Sequence, residues 1–452
     1  MSSVEKEPQP RTRLQILRQA LDTGTMRQVA RLIAALNPAE IADLLESLPP
    51  AQREIVWELV DPSDDGDVLV ELNEEVRHTL MSGMDAEELV AAAAGLDLDD
   101  LADLIGELPE AVNREVLRSL DASDRMRLES VLSFDEDSAG GLMNPDVVTV
   151  RGDVSVEVVL RYLRMRREIP PGTDAVFVVS RNGDYLGSLF LTALLTADPE
   201  SPVSRIMDVD TPAIKASTPA AQVATLFENF DLVSAAVIDD AGKLLGRITI
   251  DDVVDVIREE ASHSVLSMAG LDEDDDMFAP IRVSARRRSI WLGINLATAF
   301  LASWVAGLFE GTLARVVMLA ILMPIVPSMG GIAGTQTLIL ITRGLALGHI
   351  ERANAVWLLG KEFGVAVLNG IGWAVVVGAV TTWWFHTWKI GIVIGAALTI
   401  NLLAAAISGF GVPLTLKRLG IDPAIAGGVV LTTFTDVVGL MSFLGLGTLI
   451  LT

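Results

Sequence analysis

Five long apolar stretches in the last third of the chain constrain its fold more than any other feature. They cover residues 288–309, 315–342, 362–385, 390–414 and 424–451. Each is long enough for the ~20 residues that a helix needs to cross a bilayer. A backbone in hydrocarbon must satisfy its own hydrogen bonds, so only helices and closed barrels span membranes. Residues 287–452 are therefore predicted to form an all-α domain of five transmembrane helices.

The charge distribution separates this membrane part from the residues before it. From Arg282 onward there are 11 Lys/Arg and 5 Asp/Glu, whereas the preceding part holds 23 Lys/Arg and 55 Asp/Glu. Nucleic acids bind to basic patches, so the acidic surface of the preceding part argues against a nucleic-acid partner. Its clustered carboxylates are suited to binding divalent cations. The absence of cysteine excludes thiolate metal sites. No apolar signal segment begins the chain, so the acidic part is expected to remain cytoplasmic.

Basic residues predict the orientation of the five helices. With the N-terminus in the cytoplasm, only Arg315 and Lys389 lie outside or at the outer edge. The residues then on the cytoplasmic side are Arg282, Arg286–Arg288, Arg343, Arg352, Lys361, Lys417 and Arg418. The positive-inside rule therefore predicts a multi-pass membrane protein with an odd number of spans and its C-terminus outside.

Asp436 is the only acidic residue well inside any of the five stretches, and Thr433 and Thr435 precede it closely. A carboxylate near the middle of a membrane helix costs about 2.5–3.5 kcal/mol on insertion scales. Such a residue normally faces a polar cavity or pathway. We expect Asp436 to line a cation pathway; the alternative is that it pairs with a polar group of a neighbouring helix.

The second stretch is interrupted by Pro324 and Pro327. These prolines free backbone carbonyls, which is tolerated in a membrane where the backbone is buried or lines water. The pathway candidates that follow them are Gly330, Gly331 and Gln336, although a GxxxG spacing from Gly330 also fits simple helix packing. Polar residues in the third and fourth stretches are interpreted as interhelical contacts: Asn369, Asn401 and Ser408.

Before the membrane part, residues 1–12 are predicted to be a disordered tail and 13–135 an acidic, all-α superhelical domain. Two segments about 60 residues apart, beginning NPAEIADLLESLPP and LDLDDLADLIGELPE, repeat one helical hairpin with a Leu-Pro break. Asp99 and Asp100, with Asp97 and Asp103, crowd the second segment. They fit helix caps on a solvated face, or half of a metal-binding surface completed by another domain.

Residues 139–200 and 201–257 repeat a β–α–β–β–α order. With the landmarks Gly187 and Gly246, this α/β tandem closely resembles a pair of CBS domains. The second copy ends Gly-Arg-Ile-Thr-Ile-Asp-Asp, which fits the phrase of that family. The resemblance implies that Thr249 and Asp252 hold the phosphate and ribose of ATP or another adenine nucleotide. A helix N-cap and first-turn carboxylate explain the same two residues.

An acidic connecting helix is expected over residues 258–286. It carries an acidic run at 272–276 and basic residues just before the first apolar stretch. The run is interpreted as a switch, in which divalent cations draw together carboxylates that otherwise repel; the alternative is a solvated linker.

This order of parts resembles the MgtE family of Mg²⁺ channels over essentially the whole chain. Besides the Leu-Pro repeats and the CBS pair, the matching motifs are 254–270, Pro327…Gly-Gly…Gln336, Gly-Ile-Asp-Pro-Ala at 420–424 and Thr-Phe-Thr-Asp-Val-Val-Gly at 433–439. The resemblance implies a homodimer in the lipid bilayer of the bacterial inner membrane, with a pore on the two-fold axis. Two copies of Asp436 would face one hydrated Mg²⁺, which gives up water reluctantly.

The resemblance also implies that cytosolic Mg²⁺ closes the pore by binding between the soluble domains and the connecting helix. The residues carried over for this lock are Asp252, Asp255, Glu259, Glu260 and Asp422. Three departures concern selectivity and closure. Ile332 replaces the Asn of a Gly-Gly-Asn phrase, His263-Ser264 replace an acidic pair, and Ala426-Gly427-Gly428 stand where a polar residue is often found.

The sequence thus predicts a Mg²⁺-selective channel gated by cytosolic Mg²⁺. Passive flow is favoured because no P-loop is present. The alternatives are transport of Co²⁺, Mn²⁺ or Ca²⁺, which carboxylates separate poorly from Mg²⁺, and a membrane-anchored CBS sensor without transport. With four His, no Cys and no nucleophile–base arrangement, no enzymatic site is expected.

Overall fold

A computed structural model describes residues 26–166, 169–271, 275–346 and 348–452. The chain divides into two compact units, residues 1–261 with 274–279, and residues 262–273 with 280–452. The predicted tail at 1–12 and most of the acidic run, 272–274, lie outside the described residues. The predicted fold class is confirmed: a helical domain and a CBS-like pair of mixed sheets precede five long apolar helices.

Short helices build the helical domain. They are α1 (Met26–Ile33), α2 (Pro38–Glu46), α3 (Pro50–Trp57), α4 (Asp65–Val70), α5 (Glu74–Met81), α6 (Ala86–Ala93), α7 (Leu98–Glu107), α8 (Glu110–Ser119) and α9 (Ala122–Val131). Side-chain caps begin several of them. Asn37 and Asp85 each form a reciprocal capping box with the glutamate three residues later. Pro49 and Pro109 occupy the N-cap positions of α3 and α8, so the Leu-Pro breaks separate the two helices of each hairpin.

One side-chain position shows the hairpin repeat at atomic level. The side chain of Arg53 donates to the carbonyl oxygens of Leu45 and Leu48 at the end of α2. Asn113, the matching residue 60 positions later, donates to the carbonyl of Ile105 in α7 at 3.4 Å. Both side chains satisfy carbonyls that a helix end leaves without partners.

Each half of the CBS-like pair contains a three-stranded sheet. The first consists of β1 (Thr149–Arg151), β2 (Ala175–Val179) and β3 (Tyr185–Phe190), and the second of β4 (Ile214–Lys215), β5 (Ser234–Ile238) and β6 (Leu244–Thr249). In both, the first strand is parallel and the third antiparallel to the middle strand. The helices are α10 (Val156–Arg166), α11 (Leu191–Thr196), α12 (Val203–Ile206), α13 (Ala220–Phe230) and α14 (Ile250–Leu266).

The two landmark glycines permit close backbone contact. A Cβ atom at Gly187 would collide with the carbonyl oxygen of Asp208, and one at Gly246 would lie 2.7 Å from that of Asn144. The second half also shares its hydrophobic core with the helical domain, through residues such as Met143 and Ile248. The helical domain and the CBS-like pair therefore form one packed unit.

The second unit holds the long helices. They are α15 (Ile281–Gly307), the short α16 (Glu310–Arg315) and α17 (Val317–Leu322), then α18 (Ile325–Ala346), α19 (Arg352–Phe385), α20 (Trp388–Arg418) and α21 (Pro423–Leu451). Counting 317–346 as one span, the described residues contain five helices that are long and apolar enough to cross a membrane. The interruption predicted in the second span occurs at residues 323–324, between α17 and α18.

α20 is the central helix of this unit. In the most apolar 18-residue stretch of α20, 61% of the residues are buried, against 11% in the corresponding stretches of α15 and α19. Glycines let the neighbouring helices α18 and α21 approach closely, since a Cβ at Gly334 would lie 2.9 Å from Leu431 and one at Gly427 would lie 3.0 Å from Leu338. Such close approach of small residues drives helix association in membranes, where the hydrophobic effect is weak.

Candidate ion-binding sites

A cleft of about 470 Å³ lies between α18 and α21. α18 contributes seven residues, and α21 contributes Thr432 and Asp436. The seven are Pro327, Ser328, Gly331, Ile332, Thr335, Gln336 and Ile339. Three of the predicted pathway residues are therefore brought together: Asp436, Gln336 and Gly331.

Asp436 supplies the single carboxylate of this cleft. It lies about 20 Å along the helix axis from Pro423, well inside a helix long enough to span a bilayer. The other polar groups of the cleft are neutral hydroxyls and the Gln336 amide. A cation in the cleft would thus meet one full negative charge and several oxygen dipoles.

The other three predicted pathway residues do not line the cleft. Gly330 is buried, and a Cβ there would collide with the Asn401 side chain. The buried Thr435 donates to the carbonyl of Thr432, and Thr433 donates to that of Val429, both within α21. These hydroxyls satisfy the backbone of their own helix.

A second carboxylate lies among the apolar helices, at Glu362, and the sequence reasoning missed it. The third stretch was predicted to begin at residue 362, but α19 begins ten residues earlier. Glu362 is buried, accepts a hydrogen bond from Thr337 of α18 at 3.2 Å and pairs with Lys361 at 3.3 Å. The apolar run Ala-Val-Trp-Leu-Leu before Lys361 is the signal that extends the helix. Asp436 is therefore not the only carboxylate of these helices, although it is the one that lines the cleft.

The first unit contains a group of close carboxylates, called here the acidic cluster: Asp97, Asp99, Asp100, Asp103 and Asp252. Burial and then repulsion from Asp99, Asp97 and the other members raise the pKa of Asp100 to about 8. Burial raises the pKa of Asp103 and of Asp252 to about 7, with added repulsion from neighbouring carboxylates. The Asp103 side chain is nevertheless exposed to solvent, which screens its charge more than that of the half-buried Asp100.

The acidic cluster joins two domains. Four members lie in the first half of α7 or at its N-cap, in the helical domain: Asp97, Asp99, Asp100 and Asp103. Asp252 lies in the first turn of α14. Asn144 donates to Asp99 at 3.0 Å across the same junction. Burial also raises the pKa of Asp99. The predicted residues Asp99, Asp100 and Asp252 are thus brought together.

Asp255 belongs to a different group. It lies 3.7 Å from Arg258, and both influence the pKa of Glu71, which burial raises. Glu259 and Glu260 are exposed on α14. Arg258 already supplies a positive charge beside Asp255. An added cation would therefore relieve less repulsion here than in the acidic cluster.

Asp422 contacts the residue that departs from the family pattern. Its carboxylate lies 2.7 Å from His263 Nε2 and accepts a hydrogen bond from Ala424 N at the start of α21. His263 lies in the last turn of α14. An imidazole–carboxylate contact therefore links this turn to the N-terminus of the helix that carries Asp436.

Thr249 and Asp252 are hydrogen-bonded to each other. The backbone N–H and the hydroxyl of Thr249 donate to the Asp252 carboxylate at 3.1 and 2.9 Å. This is the geometry of a helix start, as the second interpretation of the sequence expects. Across the described residues, no three His, Asp or Glu side chains stand together in a way that would hold a metal ion.

Family profiles match most of the chain. The profile described as a divalent cation transporter, MgtE, matches residues 323–446. The profile of the MgtE intracellular N domain matches 36–137, and that of the CBS domain matches 139–200 and 203–259.

Individual proteins are similar over nearly the full length. A magnesium transporter MgtE from Thermus thermophilus is 30% identical over 445 residues, which cover 96% of this chain and 98% of that protein. One from Bacillus subtilis is 27% identical over 428 residues, 95% of each. A solved structure of the cytosolic domain of the Mg²⁺ channel MgtE in complex with ATP has 31% identity and a TM-score of 0.48, covering 53% of this chain and 98% of that one.

Proposed function

The chain belongs to the MgtE family of divalent cation transporters, and on that premise we propose that it carries Mg²⁺ across a membrane through the cleft between α18 and α21. The observation that carries this proposal is the position of Asp436. Its carboxylate lines an open cleft in a membrane-spanning helix, together with Gln336 and Thr432. A charged residue at such a depth is otherwise unfavourable.

The composition of the cleft favours a hydrated ion. Mg²⁺ holds its water tightly and is usually bound through one or two carboxylates with several waters retained. One carboxylate beside an amide and hydroxyls supplies hydrogen-bond acceptors for those waters but too few ligands to replace them. The flow is proposed to be passive.

We place a second copy of the chain across the open side of the cleft. One chain lines this space with two helices only, so a two-fold partner would enclose it and bring a second Asp436 to the ion. The homodimer would then be the transporting species, with its N-terminus in the cytoplasm and its C-terminus outside, as the basic residues favour.

Cytosolic Mg²⁺ is proposed to close the pathway through the acidic cluster. Carboxylates with pKa values raised to about 7 and 8 repel one another when ionised. A divalent cation would neutralise that repulsion and hold α7 against α14. Asp422 and His263 would transmit this state to α21, since they join its first turn to the end of α14.

Nucleotide binding at Thr249 is a second, separate proposal for the CBS-like pair. The buried Arg247 donates to Thr173 and to the carbonyl of Pro171, so the 170–173 loop lies beside Thr249. Isothermal titration of ATP into the full-length protein, compared with Thr249→Val, would test it. Equal binding by both proteins would contradict a role for Thr249.

Mg²⁺ entry into proteoliposomes tests the main proposal. Asp436→Asn keeps the side-chain size and removes the charge, and it should abolish entry without changing the elution of the dimer. Ser442→Ala is the matched control on α21, because that hydroxyl bonds the carbonyl of Gly439 in its own helix. Equal entry through wild type and Asp436→Asn would contradict the pathway. No entry through wild type at any internal Mg²⁺ would favour a sensor.

Competition separates the ions. Addition of Co²⁺, Mn²⁺ or Ca²⁺ to the same vesicles should leave Mg²⁺ entry largely intact if the pathway prefers Mg²⁺. Strong inhibition, with entry of the competitor, would instead assign the transport to that ion.

A further inference from the structure

Asn401 is a polar side chain with no exposed surface in the middle of α20. Its Nδ2 donates to the backbone carbonyl of Val326 in α18 at 2.8 Å. Its Oδ1 has no hydrogen-bond partner among the described residues. A buried acceptor without a partner is destabilising. A leucine of similar size would avoid that penalty, so stability alone does not explain an amide at this position.

The same side chain contacts both helices that line the cleft. A Cβ atom at Gly330 of α18 would collide with the Asn401 amide, and one at Gly439 of α21 would lie 2.8 Å from its Nδ2. The Asn401 amide therefore fills the space that two glycines leave open. Its hydrogen bond reaches Val326, the residue just before the cleft-lining Pro327.

Every residue that lines the cleft comes from α18 or α21. The width of the cleft is therefore set by the separation of these two helices. Asn401 lies outside the lining, but it contacts both helices close to Gly331 and Asp436. A group in this place fixes where Asp436 stands relative to Gly331 and Gln336.

We propose that Asn401 is a positioning residue that sets the width of the cleft and thereby the preference for Mg²⁺ over larger divalent cations; this rests on the transport proposed above. Mg²⁺ demands near-ideal octahedral geometry, whereas Ca²⁺ accepts more ligands in flexible arrangements. A cleft of fixed width favours the rigid hydrated ion. A cleft whose walls can separate loses that preference.

Asn401→Ala is the first test, and Ser408→Ala is its matched control. Ser408 lies two turns further along α20 and is also buried, but its hydroxyl bonds the carbonyls of Ala404 and Ala405 in its own helix. The ratio of Mg²⁺ to Ca²⁺ entry should fall about three- to tenfold in Asn401→Ala, the range expected from loss of one hydrogen bond. It should not change in Ser408→Ala.

The double variant Asn401→Ala/Gly439→Ala separates positioning from packing. Gly439→Ala alone should destabilise the protein, because its methyl group collides with the Asn401 amide. In the double variant the methyl group partly fills the space left by Asn401, so thermal stability should recover. The bond to Val326 is still missing, so the ion ratio should stay low. Recovery of the ratio together with stability would show that Asn401 only fills space, and would overturn the proposal.

Asn401→Leu covers the case in which Asn401→Ala does not fold, since it keeps the volume without the amide. An unchanged ion ratio in folded Asn401→Leu would also overturn the proposal. These outcomes differ from failure of the transport itself. In that case wild type would show no entry that depends on Asp436, whereas here wild type transports and only the discrimination between ions is in question.

Discussion

The acidic cluster and the membrane cleft use the same chemical group in opposite ways. The cluster crowds carboxylates at the junction of two domains, where burial and repulsion raise the pKa of Asp100 to about 8. In each chain the cleft presents Asp436 as its single carboxylate, among neutral hydroxyls, an amide and apolar side chains. Under the proposed gating, crowded carboxylates make a conformation depend on a cation, because the cation relieves the repulsion that appears when they ionise. A single charge attracts a cation without trapping it.

A third arrangement in the first unit supports this contrast. Asp276 is more deeply buried than any member of the cluster, but Arg53 donates to both of its oxygens at 2.9 and 3.1 Å. Its charge is already neutralised by the protein, so it needs no cation. The comparison therefore turns on whether the chain supplies the counter-charge.

The largest effect is expected from removing that counter-charge. Arg53→Met leaves the buried Asp276 with a hydrogen bond from the N–H of Phe278 but without its counter-charge, and breaking such a pair costs about 3–5 kcal/mol. Chemical denaturation of the full-length protein should show this loss in the first unit. Arg125→Met is the control, because Arg125 makes the same kind of bonds to the carbonyls of Leu117 and Leu120. Two lost hydrogen bonds should cost only about 1–3 kcal/mol. Equal losses in the two variants would show that the ion pair adds nothing.

A second effect is expected from neutralising the acidic cluster. Asp99→Asn/Asp100→Asn/Asp252→Asn removes the repulsion between these carboxylates and the proposed Mg²⁺ ligands together. The internal Mg²⁺ needed to halve transport should rise at least about tenfold, the equivalent of 1.4 kcal/mol, while transport at low internal Mg²⁺ stays at the wild-type level. Asp121→Asn is the control, since Asn caps a helix as well as Asp. A response to Mg²⁺ identical to wild type would remove the cluster from the gating proposal.

In the absence of Mg²⁺, the free energy of unfolding of the first unit should fall as the pH rises. The pKa values of Asp100 and Asp252 are raised from 3.8 to about 8 and about 7. Between pH 4 and 8 the folded protein therefore binds more protons than the unfolded chain, so stability falls as pH rises through this window. Hydrogen exchange in α7 should accelerate over the same range in EDTA and slow again on addition of Mg²⁺. Exchange that is independent of pH, after correction for intrinsic rates, would contradict these shifts.

The smallest effect is expected at the second membrane carboxylate. Glu362→Gln keeps the acceptor for Thr337 and loses only the pairing with Lys361, a partly exposed contact worth about 0–1 kcal/mol. Mg²⁺ entry should remain within about twofold of wild type. A loss as large as that in Asp436→Asn would mean that both carboxylates carry ions, and the contrast between one charge and many would fail.

Composition and order along the chain were sufficient to predict the fold class, because five apolar stretches and two β–α–β–β–α units allow few arrangements. Asp436 could be singled out for a similar reason, since a carboxylate deep in an apolar helix needs a polar surrounding. It is harder to predict which face of a helix lines the cleft and which packs against a neighbouring helix. Gly330 and Gly331 are neighbours, yet one packs against Asn401 and the other lines the cleft.

The acidic residues of α14 show the same limit. Asp252 and Asp255 are one turn apart and look equivalent in the sequence. Only Asp252 meets the carboxylates of α7, whereas Asp255 lies beside Arg258 and near Glu71. The position of an arginine, which depends on how the domains pack, decides which of the two lacks a counter-charge.

The paired positions Arg53 and Asn113 suggest how an internal duplication acquires a new use. Either side chain closes the end of the helix before it, so the hairpin folds with both. Only the longer one extends beyond the hairpin to bind Asp276, while Asn113 keeps one oxygen without a hydrogen-bond partner in the described part of the chain. A duplicated module keeps its structural role in both copies and leaves one copy free to diverge. In this chain the Arg53 copy anchors Asp276, the last residue of the acidic run at 272–276.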